Sequence, residues 1–166
     1  MSAHKLAQQL VERLSAQNKR ITTVESCTGG LVAGAITSIS GSSNVFDYGF
    51  VTYSNAAKTK LVDVPEYLIE AHGAVSVEVA ASMAEGARKV AGAFMALSVT
   101  GIAGPTGGSV EKPVGMVCFG LSFIDLEREP ITYAQIQQFG NIGREKVREK
   151  SVEFALNWAI DTLSSI

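Results

Sequence analysis

The sequence predicts an α/β protein of three layers, α/β/α, with helices covering both faces of a mixed sheet of about five strands. Three observations carry this. Segments with apolar residues at helical spacing alternate along the chain with short runs of β-branched and aromatic residues. One of those runs, Phe94 to Val99 (FMALSV), is almost wholly apolar, as a central strand covered on both faces must be. Two further runs, Val114 to Ile124 and Ile131 to Phe139, are separated only by the charged stretch Asp125 to Pro130, which reads as a solvent-exposed hairpin loop.

In chain order, Leu6, Leu10 and Leu14, with Ala7 and Val11 beside them, give an amphipathic first helix ending near Asn18. Arg20 to Glu25 (RITTVE) is a strand by its β-branched content. It runs through Ser26-Cys27-Thr28-Gly29-Gly30 into a helix of small and aliphatic residues, LVAGAITSIS. The stretch Gly41 to Lys58 reads as turn, strand and turn, its apolar run being Phe46, Tyr48, Phe50 and Val51, and a short helix then continues through Lys60. One or two helical turns follow at Glu66 to His72, opened by Pro65 and closed by Gly73. Ser76 is the N-cap of a long helix with Val79, Met83, Ala87 and Val90 along one face. Gly140 to Gly143 break the last strand pattern, and a final helix starts near Arg144, with Val147, Ser151 and Trp158 down one side. No repeat, linker or low-complexity segment divides the chain, so residues 1–166 are expected to form one domain.

The net charge of −2 provides no basic field for nucleic acid or an anionic membrane, although it leaves room for a local phosphate pocket. Cys27 and Cys118 fit a reducing compartment and form no CxxC or Cys/His cluster, so neither a zinc site nor any other metal is implied. The N-terminal segment lacks the apolar core of a signal peptide, and no stretch reaches 18 uninterrupted apolar residues; a cytoplasmic protein is expected.

Candidate chemistry concentrates in four places. The first is Gly41 to Lys58, where Ser43 is a potential nucleophile, Lys58 a base if burial lowers its pKa, and Tyr53 a group to relay or orient the proton. Their structural account is a turn residue, a core aromatic and a solvated helix face. The second is the turn Ser26 to Gly30, where Ser26, Thr28 and the N–H groups of Gly29 and Gly30 at a helix start suit a phosphate or an oxyanion. A simple N-capped turn accounts for the same residues. The third is the glycine-dense loop after the FMALSV strand, containing Thr100, Gly101, Gly104, Thr106 and Gly107. It matches neither the P-loop nor the GxGxxG pattern, but it lies where ligands bind in open α/β sheets. The fourth is Arg144 and Arg148, one helical turn apart, which either reach one phosphate or pair with Glu145 and Glu149 on a solvated face. His72 has no carboxylate or nucleophile at a recognisable spacing and is read as a helix C-terminal residue.

Taken together, VESCTGG, GSSNVFDYGFVTYSNAAK, HGAVS and VTGIAGPTGGSVEKPVG resemble, in the same order and over nearly the whole chain, the CinA C-terminal domain family. The resemblance implies an amidohydrolase that converts nicotinamide mononucleotide to nicotinate mononucleotide and ammonia in pyridine-nucleotide recycling, without a cofactor. It also implies a Ser43, Tyr53 and Lys58 apparatus, with Ser26 and the loop after Thr100 lining the pocket. Ser26 and this loop, through Thr100 or Thr106, polarise the amide oxygen, and Arg144 or Arg148 supplies a basic contact. The larger N-terminal domain of full-length members, associated with pyrophosphatase activity, has no counterpart in this sequence. Two other readings stay open: a Cys27-dependent amidase, with the thiol at a helix start, and a nucleotide-binding or regulatory module without turnover. Symmetric assembly is the commonest state for small enzymes, so a homo-oligomer is expected.

Overall fold

The computed structural model describes residues 1–166. Its elements are α1 (Ala3–Ala16), β1 (Ile21–Glu25), α2 (Leu31–Thr37), a single 3₁₀ turn (Ser42–Asn44), β2 (Phe50–Val51), α3 (Asn55–Val62), α4 (Glu66–His72), α5 (Val77–Ala91), β3 (Met95–Gly101), β4 (Met116–Ile124), β5 (Pro130–Gln138) and α6 (Arg144–Ser165). The five strands form one sheet in the order β2-β1-β3-β4-β5. The first three are parallel, with Glu25 opposite both Val51 and Val99, and β4 and β5 continue antiparallel as a hairpin. This is the expected three-layer α/β/α arrangement with a mixed sheet.

The helices divide between the two faces. Leu6, Leu10 and Leu14 of α1 and Val147, Leu156 and Leu163 of α6 bury against Leu97, Val99, Phe119 and Leu121 of the sheet. On the opposite face Val62, Ile69, Val79 and Met83, from α3, α4 and α5, pack on Val24 and Ala96. Burial of each such side chain contributes about 1.5–3 kcal/mol. Serines cap α1, α3 and α5: the hydroxyls of Ser2, Ser54 and Ser76 accept from Lys5, Ala57 and Val79 N–H. The long helix α5 crosses the end of α3 so closely that a Cβ on Gly86 would collide with the Val62 carbonyl, and only glycine fits there.

Two local expectations change. The apolar run before Tyr53 contributes only the two residues of β2, because Thr22 Oγ1, rather than a backbone N–H, bonds the Tyr48 carbonyl at 2.7 Å and the ladder stops. Helix α2 ends at Thr37 instead of running to Ser40. There Thr37 and Ser38 hydroxyls bond back to the carbonyls of Ala33 and Ala35, competing with helix continuation.

Candidate active site

The parallel half of the sheet places three chain turns side by side. Since Glu25 is level with Val51 and Val99, the segments after β1, β2 and β3 leave the sheet at one edge, the carboxyl end where open α/β sheets bind ligands. Backbone bonds extend this alignment, Thr52 N–H donating to Glu25 O and Ser26 N–H to Val99 O, each at 2.8 Å. The amino end of α6 closes over them.

Lys58 lies at the centre. It sits on α3, which Ser54 caps, and it is fully buried, among the largest such side chains in the molecule. Its Nζ donates to Thr52 O at 2.9 Å, to Ser26 Oγ at 3.4 Å and to Ser54 O at 3.5 Å. No carboxylate pairs with it. Burial therefore penalises the ammonium form and holds its pKa below the ordinary lysine value of 10.5. In the neutral amine the two N–H groups stay on the carbonyls and the Ser26 hydroxyl becomes the donor, its O–H directed to the lone pair on Nζ.

Ser26 owes its position to its neighbour. The Glu25 carboxylate is completely buried and accepts from Val32 N–H at 2.8 Å and Ala33 N–H at 3.1 Å, tying β1 to the start of α2 across the turn. Gly30 enters α2 at φ +102°, a backbone conformation open to glycine. Glu25 thus occupies the Val32 and Ala33 donors of the first turn of α2, and Gly29 N–H is used within the turn by Ser26 O. Thr28 and Gly30 N–H, in the turn itself, have no acceptor within the chain, and the Thr28 hydroxyl is buried without a partner.

The two arginines fasten the turns to α6. Arg148 donates from Nε to Cys27 O at 3.1 Å and from Nη2 to Thr28 O at 3.3 Å. Arg144 donates from Nη1 to Gly104 O at 2.9 Å and from Nη2 to the Tyr53 hydroxyl at 3.1 Å. Both guanidiniums therefore face the Ser26 side of the sheet, and neither forms an ion pair with Glu145 or Glu149.

The expected Ser43, Tyr53 and Lys58 apparatus is not brought together. Ser43 is exposed in the 3₁₀ turn, two residues before Val45, whose carbonyl accepts from Ile21 at the amino end of β1. The length of β1, roughly 15 Å at 3.3 Å per residue, separates that end from Ser26 and Lys58. Tyr53 is near Lys58 in the chain, yet its phenol oxygen bonds Arg144 and not Lys58 or Ser26. Thr100 is buried, and its hydroxyl donates to Ala74 O at 2.9 Å, fixing the loop before α5. Gly101 still belongs to β3, opposite Val117. Thr106 and Gly107 line an outer groove with Val110 and Asn141. Of this loop, Gly104 alone has a hydrogen bond into the site. The His72 imidazole has a carboxylate neighbour that its sequence reading lacked, Glu78, Nδ1 to Oε1 3.7 Å. Burial pushes the Cys27 thiol up to about 12, which disfavours the thiolate a cysteine mechanism needs. No group of three or more His, Cys, Asp or Glu side chains comes together with the geometry of a metal site.

Sequence reasoning missed Glu25 and the carbonyls of Thr52 and Ser54. The carboxylate was available as the residue before Ser26 in VESCTGG; backbone acceptors carry no sequence signal.

Comparison with known proteins agrees with this architecture. The CinA C-terminal domain model matches residues 3–163. Over 157 residues the chain is 50% identical to the nicotinamide-nucleotide amidohydrolase PncC of Enterobacter agglomerans, covering 95% of this chain and 93% of that protein. It is 58% identical over 115 residues to a putative competence-damage inducible protein of Symbiobacterium thermophilum, a match covering 69% of this chain but only 27% of that longer protein. The crystal structure of the competence/damage inducible protein CihA from Agrobacterium tumefaciens superposes with a TM-score of 0.90 at 41% identity, covering 98% of this chain and 95% of that one. With a fold, a chain-length family match and a half-identical relative in agreement, this protein belongs to the CinA C-terminal domain family.

Proposed function

We propose that this protein is an amidohydrolase that deamidates nicotinamide mononucleotide to nicotinate mononucleotide and ammonia, with Ser26 as nucleophile and Lys58 as its base. The observation that carries the assignment is the buried Lys58 amine, without a carboxylate partner, 3.4 Å from Ser26 Oγ. The half-identical PncC relative supports the substrate class.

In the first half-reaction neutral Lys58 takes the Ser26 proton as Oγ bonds to the carboxamide carbon. The free N–H groups of Thr28 and Gly30 are the available donors for the oxyanion, each such donor contributing about 10²- to 10³-fold. Lys58 passes its proton to the amide nitrogen, the C–N bond breaks, and ammonia leaves an acyl ester on Ser26. In the second half-reaction water attacks the ester carbon while Lys58 accepts its proton; the ester bond breaks, Ser26 recovers its proton, and the carboxylate is released. Arg144 and Arg148 are the cationic groups available to the nucleotide phosphate.

The two free, buried thiols support the expected reducing compartment, where the reaction serves pyridine-nucleotide recycling. The outer edge of β5 carries no charged side chain from Ile131 to Gln138, which supports the expected symmetric homo-oligomer. Ammonia release by purified protein, with chelator present, tests the function. Wild type and Ser43→Ala should both release ammonia, and Ser26→Ala should lose about 10³-fold or more in kcat. Loss in Ser43→Ala with retention in Ser26→Ala would reverse the assignment, and a folded but inactive wild type would favour a nucleotide-binding module.

A further inference from the structure

We propose that the ring of Tyr53 is a cation–π platform for the pyridinium of the substrate and thereby selects oxidised over reduced nicotinamide mononucleotide. The inference rests on the amidohydrolase reading above. An N-glycosylated nicotinamide ring carries a full positive charge, which disappears on reduction to the dihydropyridine. A site that binds the oxidised ring needs an electron-rich partner for it.

Tyr53 can supply it. The charged side chains reaching the turn are Lys58, Arg144 and Arg148, all basic, and the adjacent Glu25 carboxylate is buried and committed to Val32 and Ala33 N–H. Tyr53 directly follows Thr52, whose carbonyl holds Lys58 Nζ at 2.9 Å, so its backbone starts next to the carbonyl that holds the amine. The phenol oxygen is tethered by Arg144 at 3.1 Å, and Arg144 is itself anchored on Gly104 O. The residue nevertheless remains 60% exposed. An aromatic ring held at its oxygen by Arg144 and open to solvent, on the residue after the carbonyl that holds the base, has a π surface to offer a cation. No hydrogen bond joins its hydroxyl to Ser26 or Lys58, which argues against a proton relay.

The test compares Tyr53→Leu, Tyr53→Phe and Tyr53→Trp for KM and kcat on nicotinamide mononucleotide, and for competitive inhibition by the reduced mononucleotide. Tyr53→Leu should raise KM by about 3- to 30-fold, the span of cation–π interactions from exposed to desolvated sites, and Tyr53→Phe and Tyr53→Trp should restore most of that loss. Inhibition by the reduced form should weaken by no more than about twofold in Tyr53→Leu, since it has no charge to lose. An unchanged KM in Tyr53→Leu, an equal loss for both redox forms, or a kcat loss in Tyr53→Phe matching that in Tyr53→Leu would overturn the proposal. Wild type that releases no ammonia would refute the amidohydrolase reading instead. Calorimetric binding of the oxidised and reduced mononucleotides to wild type and Tyr53→Leu then still decides the platform.

Discussion

Lys58 Nζ and Ser26 Oγ lie 3.4 Å apart although 32 residues separate them in the chain. The contact exists because β1 and β2 are parallel neighbours. Ser26 follows the last residue of β1, and Lys58 projects from the helix that follows β2 back over the same sheet edge.

The pairing predicts the pH dependence of turnover. Lys58 must be neutral to accept a proton, so kcat/KM should rise with pH through its lowered pKa and level off before the ordinary lysine value of 10.5. Lys58→Arg, permanently charged, should lose at least about 10³-fold in kcat. A flat pH profile between 6 and 9 alongside an active Lys58→Arg enzyme would remove Lys58 as the base.

Stability should follow the same group with a definite sign. The folded-state pKa of Lys58 is depressed, so between that value and 10.5 the unfolded chain binds more protons than the native one. Native stability must therefore rise with pH across that window. Urea unfolding at several pH values should show this rise in wild type and its absence in Lys58→Met.

Glu25 predicts a stability effect separable from chemistry. Glu25→Ala removes the acceptor from one buried and one part-buried N–H group, at a cost of about 3 kcal/mol, whereas Glu25→Gln keeps one acceptor oxygen and should cost about 1 kcal/mol. The readout is the urea midpoint at constant m. Equal midpoints for the two variants would contradict the bonding described.

Arg148 should matter through the phosphate. Arg148→Met is expected to raise KM for the mononucleotide by about 10- to 100-fold, the worth of a charge-assisted contact. The same change should affect nicotinamide riboside, which lacks the phosphate, far less. A parallel loss on both substrates would restrict Arg148 to holding the carbonyls of Cys27 and Thr28.

With its thiol pushed up to about 12, Cys27 should resist iodoacetamide at neutral pH. Cys27→Ala should retain turnover to within a few-fold. Rapid alkylation with loss of activity would instead revive the cysteine mechanism.

Much of this protein was fixed locally. The period of Leu6, Leu10 and Leu14, the apolar FMALSV run and the charged break at Asp125 to Pro130 determine helices, a central strand and a hairpin, because burial on one face or two imposes a pattern on neighbouring residues. The family, too, was legible in four motifs. The partnership of side chains was not. Ser43 stands nearer Lys58 in sequence than Ser26 does, yet the 3₁₀ turn leaves it at the opposite end of β1, and parallel pairing brings the more distant serine to the amine. Burial of Lys58, and hence its lowered pKa, likewise arises from packing of α3 against the sheet and α5 rather than from its neighbours in the chain. Sequence period reports which face of an element is dry; only strand order and register decide which dry or polar groups meet.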